Sequence, residues 1–254
     1  MLSFLDSRLL AQSGELSSVD YRGLLARSEL IQFSVRVKQS DLLISARSDL
    51  AKEARELLLH FRGQLEEHIE KNPSFLTSFS PVSVDPDAAS IVKRMARAGL
   101  DAGVGPMASV AGAIAEAVGK RLLQRSSDVI VENGGDIFCS MSRQTNFLLL
   151  AEKSDFGALN FVIETKHRSF GVCTSAGSTG PSFSFGTADG VMVAAKNAAF
   201  ADAAATAIGN VVQTAGDVEK AIDLARSFNV IAAIVVKSDR LAAFGDVVLE
   251  PAYV

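Results

Sequence analysis

Three short stretches of this sequence carry residues whose types and spacing could do chemistry. The first is Glu132-Asn-Gly-Gly-Asp-Ile137. Paired glycines expose backbone N–H groups and let a ligand approach the main chain closely, which suits a phosphate or a planar ring. Asn-Gly and Gly-Asp also make ordinary hairpin turns, and on spacing alone Gly134, Gly135 and Asp136 read first as a turn between strands. The second stretch is Cys173-Thr-Ser-Ala-Gly-Ser-Thr-Gly-Pro-Ser182, with Ser184 and Gly186 just beyond. Small hydroxyls on flexible backbone can surround a diphosphate with neutral donors, or simply form a polar surface loop. The Gly-Lys-Ser/Thr ending of a Walker loop is missing. The third is Ala201-Asp-Ala-Ala-Ala-Thr206, where Asp202 and Thr206 are spaced to face the same way from adjacent helical turns. A carboxylate plus a hydroxyl is hard-oxygen chemistry, appropriate to Mg²⁺ completed by water and phosphate. The plain alternative is a helix with one solvated Asp.

The elements that must position these groups follow from the pattern of apolar residues. Strict alternation over Ile31–Val37 predicts a strand, and Asp41–Ser45 pairs with it as a hairpin. A helix starts near Asp49, with Leu50, Ala54, Leu57, Leu58, Phe61, Leu65 and Ile69 on one face, and Asn72-Pro73 stops it. Residues 75–86, rich in Ser and Pro, make a candidate lobe boundary within a single unit spanning 1–254. Helical pattern returns over 87–100 and, past Gly103, Gly105 and Pro106, runs to about Leu123. Short apolar runs at 129–131, 137–139, 146–151 and 159–164 read as meandering strands. A loop over 174–187, a strand at 191–194, helices at 198–210 and 218–228, and strands at 230–236 and 246–249 complete the chain. Helices and strands come in blocks, so the expected fold is α+β, with mainly antiparallel or mixed strands packed with helices in one two-lobed unit.

Composition narrows the function classes. With 254 residues, 48% hydrophobic, the chain can bury a sizeable core. Its 25 Lys and Arg against 29 Asp and Glu give a net charge of −4, which argues against a general nucleic-acid binder. Cys139 and Cys173 are far apart and suggest neither a disulfide framework nor a zinc module. Asp6 falls where a secretory signal needs an unbroken apolar core, and the charge-free run 102–115 is too short to span a bilayer. The expected location is the cytoplasm, with no membrane partner and both thiols reduced.

Taken in order, the three stretches resemble the ApbE superfamily, the FAD:protein FMN transferases. The nearer likeness is to a cytoplasmic, uncharacterised branch of it, carried by Tyr21-Arg22, Val104–Glu116, Cys173-Thr-Ser, Ser184-Phe-Gly186 and Ala201–Asn210. The resemblance implies an enzyme that binds FAD and uses Mg²⁺ to move FMN onto a Ser or Thr of an acceptor protein, or that cleaves the FAD diphosphate. It implies that Gly134, Gly135 and Asp136 meet the flavin nucleotide and that Thr174, Ser175 and Gly177 belong to the same pocket. Asp202 and Thr206 would be the metal ligands. The sequence departs from the branch where a histidine is expected after Gly180, because Pro181 stands there. That departure leaves open a non-catalytic flavin- or nucleotide-binding protein that retains the pocket.

Overall fold

The computed structural model of the chain describes residues 30–176 and 185–250. Tyr21, Arg22, Gly177, Pro181 and Ser184, named above, lie outside them. The alternating run forms strand β1 (Ile31–Val37), paired antiparallel with β2 (Ser40–Ala46). Helix α1 (Ala51–Lys71) buries Ala54, Leu58, Phe61 and Leu65, and Asp49 sits one residue ahead of its cap position, accepting from the Ala51 N–H at 3.0 Å. A single turn, α2 (Ser74–Thr77), buries Phe75. Helix α3 (Ser90–Ala102) ends on Gly103 at φ 73°, a left-handed C-cap that favours glycine. A 3-10 turn at Pro106–Ser109 leads into α4 (Val110–Leu122). The helices on both sides of residues 75–86, α1 and α3, feed one apolar cluster.

The second half supplies β3 (Val129–Asn133), β4 (Asp136–Ser140), β5 (Asn146–Ala151), β6 (Gly157–Ile163), β7 (Ser169–Ser175) and β8 (Gly190–Ala195). Helices α5 (Ala198–Asn210) and α6 (Val218–Ser227) follow, then β9 (Ala232–Lys237), β10 (Arg240–Gly245) and β11 (Val247–Glu250). An eight-stranded sheet runs in the order β1-β2-β3-β4-β7-β8-β9-β10, and a three-stranded sheet in the order β11-β6-β5. Every pairing is antiparallel. The fold is α+β, as the block order predicts.

Two apolar clusters flank the large sheet. Val191, Val193 and Ala195 of β8 face the helices, while Met192 and Ala194 face the small sheet. Strand β4 divides likewise, Phe138 to one side and Ile137 and Cys139 to the other. A strand covered on both faces needs no polar side, which is why these runs are continuously apolar. Cys139 and Cys173 are both free and lie in different clusters, so no disulfide joins them.

Two strands depart from the expectation. Thr174 and Ser175 do not open a loop; they close β7, which also holds Gly171 and Cys173. A Cβ at Gly171 would fall 2.2 Å from the Ala198 Cα, so α5 lies directly on the strand backbone and only glycine fits. Strand β10 follows a tight turn in which Ser238 takes φ 53°. The Asp189 carboxylate holds that turn, accepting from the Ser238 N–H at 2.7 Å. Among the described residues, no single helix is long and apolar enough to cross a membrane.

Candidate functional site

Gly134 and Gly135 are the two-residue turn between β3 and β4, at φ 65° and 98°. Both angles favour glycine, and they suit the primed hairpin turns. The Gly135 N–H donates to Glu132 Oε1 at 2.7 Å, and Glu132 is itself buried. Thr174 reaches the turn from β7, its Oγ1 donating to the Gly135 carbonyl at 3.2 Å. A Cβ at Gly135 would sit 2.7 Å from that hydroxyl, whereas one at Gly134 would meet open space. The hairpin reading is the one seen: Gly135 is locked against Thr174, and Gly134 faces open space.

Asp136, immediately after the turn, is buried and receives the Thr174 N–H and the Cys173 thiol. Its Oδ1 is buried with no donor among the described residues. Burial, and then the charge of Asp202, pushes its carboxyl well above the ordinary carboxylate range. Asp202 comes from α5 and is buried too. Its Oδ2 accepts from the Gly112 N–H at 2.9 Å, and the Ala111 N–H adds a second bond. Burial still outweighs these donors and pushes the Asp202 carboxyl up to about 7. The Cys173 thiol is driven well above its usual range by burial and by Asp136 and Asp202, so it acts as a donor and not as a thiolate nucleophile.

Helices α4 and α5 hold this acidic centre by capping one another. Asp202 on α5 accepts from the first turn of α4, while Glu116 on α4 accepts from the Ala198 and Ala199 N–H groups that open α5, at 2.8 and 3.3 Å. Each carboxylate satisfies backbone donors left over at the partner's N-terminus and faces the positive end of its dipole. Gly112 lies at the crossing, where a Cβ would stand 2.3 Å from the Ala198 carbonyl oxygen. Gly112→Ala is accordingly expected to cost about 2–3 kcal/mol of stability, because backbone and not a flexible side chain must yield. Urea denaturation measures it, and a cost near zero would contradict the close packing.

Of the residues expected from sequence, Gly135 and Thr174 touch, and Asp136 and Asp202 are electrostatic neighbours. Ser175 is buried at the end of β7, and Thr206 is half-buried one turn beyond Asp202. Gly177 is outside the described residues. Sequence reasoning did not single out Glu132, Ala111 or Gly112 as site residues. For Gly112 the available signal was its pairing with Gly119, two glycines seven residues apart on one helix. Among the described residues, no three His, Cys, Asp or Glu side chains are grouped to form a metal cage.

A family model described as AbpE bacteria matches residues 22–238, which include every site residue above. The chain belongs to this family. A UPF0280 protein of Methanococcus vannielii is 43% identical to it over 187 residues, 72% of this chain and 76% of its own. A UPF0280 protein of Methanocaldococcus jannaschii is 46% identical over 178 residues, 68% and 72% of the two chains. Among solved structures, the flavin transferase ApbE from Vibrio cholerae superposes with a TM-score of 0.57 over 85% of this chain and 96% of its own. The apo flavinyl transferase ApbE of Pseudomonas stutzeri gives 0.60 over 85% and 93%. Both are 14% identical to this chain, so these two likenesses establish that the AbpE-family chain has the ApbE fold.

Proposed function

We propose that this AbpE-family chain works as one unit, a cytoplasmic Mg²⁺-dependent flavin-nucleotide enzyme. It binds FAD and transfers FMN to a protein Ser or Thr, or cleaves the FAD diphosphate. The observation that carries the reading is convergence. Residues 132–136, 173–174 and 202, far apart in sequence, meet in one buried acidic centre beside an open glycine turn.

The donor set fits a divalent cation. Asp136 and Asp202 crowd each other while Asp136 Oδ1 has no donor among the described residues, an arrangement that favours a positive charge between them. Asp202 would hold Mg²⁺ with Thr206, the remaining oxygens coming from water and phosphate, since Mg²⁺ needs few protein ligands. When bound, the ion neutralises charge developing on the diphosphate as one phosphoester replaces another. The chain's own contribution is rigidity: the Gly112 and Ala111 N–H groups fix Asp202, and Thr174 fixes the turn carbonyl.

An aromatic pair extends the site along α5. Phe79 and Phe185 meet edge to face at 5.0 Å and are 59% and 56% exposed. Gly186 packs on Gly209, the next step along the helix face that carries Asp202 and Thr206. These rings would take a flat ring of the nucleotide. Phe79→Ala and Phe185→Ala are each expected to weaken flavin binding about tenfold, the lower end of ring-stacking energies. Titration of the flavin absorbance measures this, and unchanged affinity in both variants removes the pair from the site.

Pro181 in place of the expected histidine favours a second reading, a flavin-binding protein without turnover. One assay separates the two: purified protein is incubated with FAD and Mg²⁺ and followed for bound flavin and released AMP. AMP release supports the enzyme, bound flavin without AMP supports the binding protein, and neither result discards both.

A further inference from the structure

A groove lies at the opposite end of the large sheet. Strand β4 carries the Gly134–Gly135 turn before its first residue and ends at Ser140, which pairs with Ser169 at the start of β7. Thr174 is five residues further along β7, about 17 Å away at the rise of a strand. Beyond the Ser140–Ser169 end is a groove of 1140 Å³, walled by the connections β4–β5, β6–β7 and β8–α5 and by residues before β9. That volume exceeds the range usual for small-molecule pockets.

The charge of the groove opposes that of the chain. Arg143, Lys166, Arg168 and Lys196 line it against only Glu164 and Asp246, in a protein of net charge −4. All four cations are exposed, and they stand on three separate connections. Arg168 is held in place by donating from Nη2 to the Ser127 carbonyl at 2.7 Å. The rest of the lining mixes polar side chains, among them Ser142, Gln144, Thr165 and Asn229, with the edges of the buried Phe170 and Ile163 and with Ile231. A compact phosphate group needs donors converging on one point. Here the cations are contributed by three separate connections around a groove larger than a small-molecule pocket.

We propose that this groove docks an acidic segment of a partner polypeptide, its carboxylates meeting Arg143, Lys166, Arg168 and Lys196. The inference does not rest on the flavin reading, because it uses none of the residues of that site. Charge complementarity of this kind steers encounter and sets specificity, and it weakens with salt.

The test is fluorescence anisotropy of the full chain with a short labelled peptide of glutamates and interspersed valines, and with its lysine counterpart. The acidic peptide is expected to bind and the basic one not, despite the net negative charge of the protein. Lys166→Glu with Lys196→Glu should weaken binding at least tenfold, about 1.4 kcal/mol. Lys166→Gln with Lys196→Gln should weaken it less, and thermal melts check that each variant folds. Lys52→Glu with Lys220→Glu changes the net charge equally at exposed helical positions outside the groove, and should leave binding within twofold. Absence of binding, or equal loss in both charge-reversed pairs, overturns the proposal. Displacement of the peptide by equimolar inorganic pyrophosphate also overturns it, since that would mark a compact-anion site.

Discussion

Asp202→Asn is expected to lower Mg²⁺-dependent AMP release from FAD by about a hundredfold or more, roughly 3 kcal/mol of barrier. The substitution keeps the shape of the side chain and an oxygen to accept from the Gly112 N–H, so α4 keeps its cap. What it removes is the charge that would hold the cation. The metal-free melting temperature should therefore stay at or above that of the unmodified chain, while Mg²⁺ with FAD no longer raises it. Thr206→Val, which takes away a neutral oxygen, should cost about tenfold on the same assay. Turnover by Asp202→Asn within threefold of the unmodified chain would falsify the metal assignment.

The second large effect is on stability and follows from the same two carboxyls. Asp202 titrates near 7 in the folded chain against 3.8 as its ordinary value, and Asp136 is shifted in the same direction. Between those limits the folded protein binds more protons than the unfolded one, so stability falls as pH rises through the window. From pH 5.5 to 8, without divalent metal, the Asp202 contribution is about 2 kcal/mol, or roughly 4–8 °C in melting temperature for a chain of this size. His68, whose pKa is lowered by burial, works in the opposite sense. The informative quantity is therefore the difference between the unmodified chain and Asp136→Asn. Removing one of the two coupled charges should flatten the decline and make the variant the more stable protein at pH 8. A decline of equal slope in both proteins would show that these acids are not coupled.

Local pattern exposed much of this fold but little of the site's geometry. Strand β1 is an edge with one face in solvent, so its alternation is visible, and α5 announces itself by an unbroken alanine-rich run. Strand β7 was hidden because two of its residues answer to a neighbour and not to strand propensity: Gly171 makes room for Ala198, and the Cys173 sulfur packs 3.3 Å from the Ala198 carbonyl oxygen. The Asp-x-x-x-Thr spacing places Asp202 and Thr206 on one helix face. Nothing local could place Asp202 beside Asp136 or against the Gly112 N–H, ninety residues away in the chain. The same limit applies to the basic groove, whose cations look like scattered surface charges until two sheets and three connections bring them to one rim.

The mutual capping of α4 and α5 has a mechanical consequence. Sliding one helix along the other by a single residue would uncap both ends at once and drive the Gly112 crossing into backbone. The pair thus has one permitted register and behaves as a rigid beam under the acidic centre. The flavin nucleotide proposed above would meet a floor already in its final position, so its affinity would not be spent on rearranging helices.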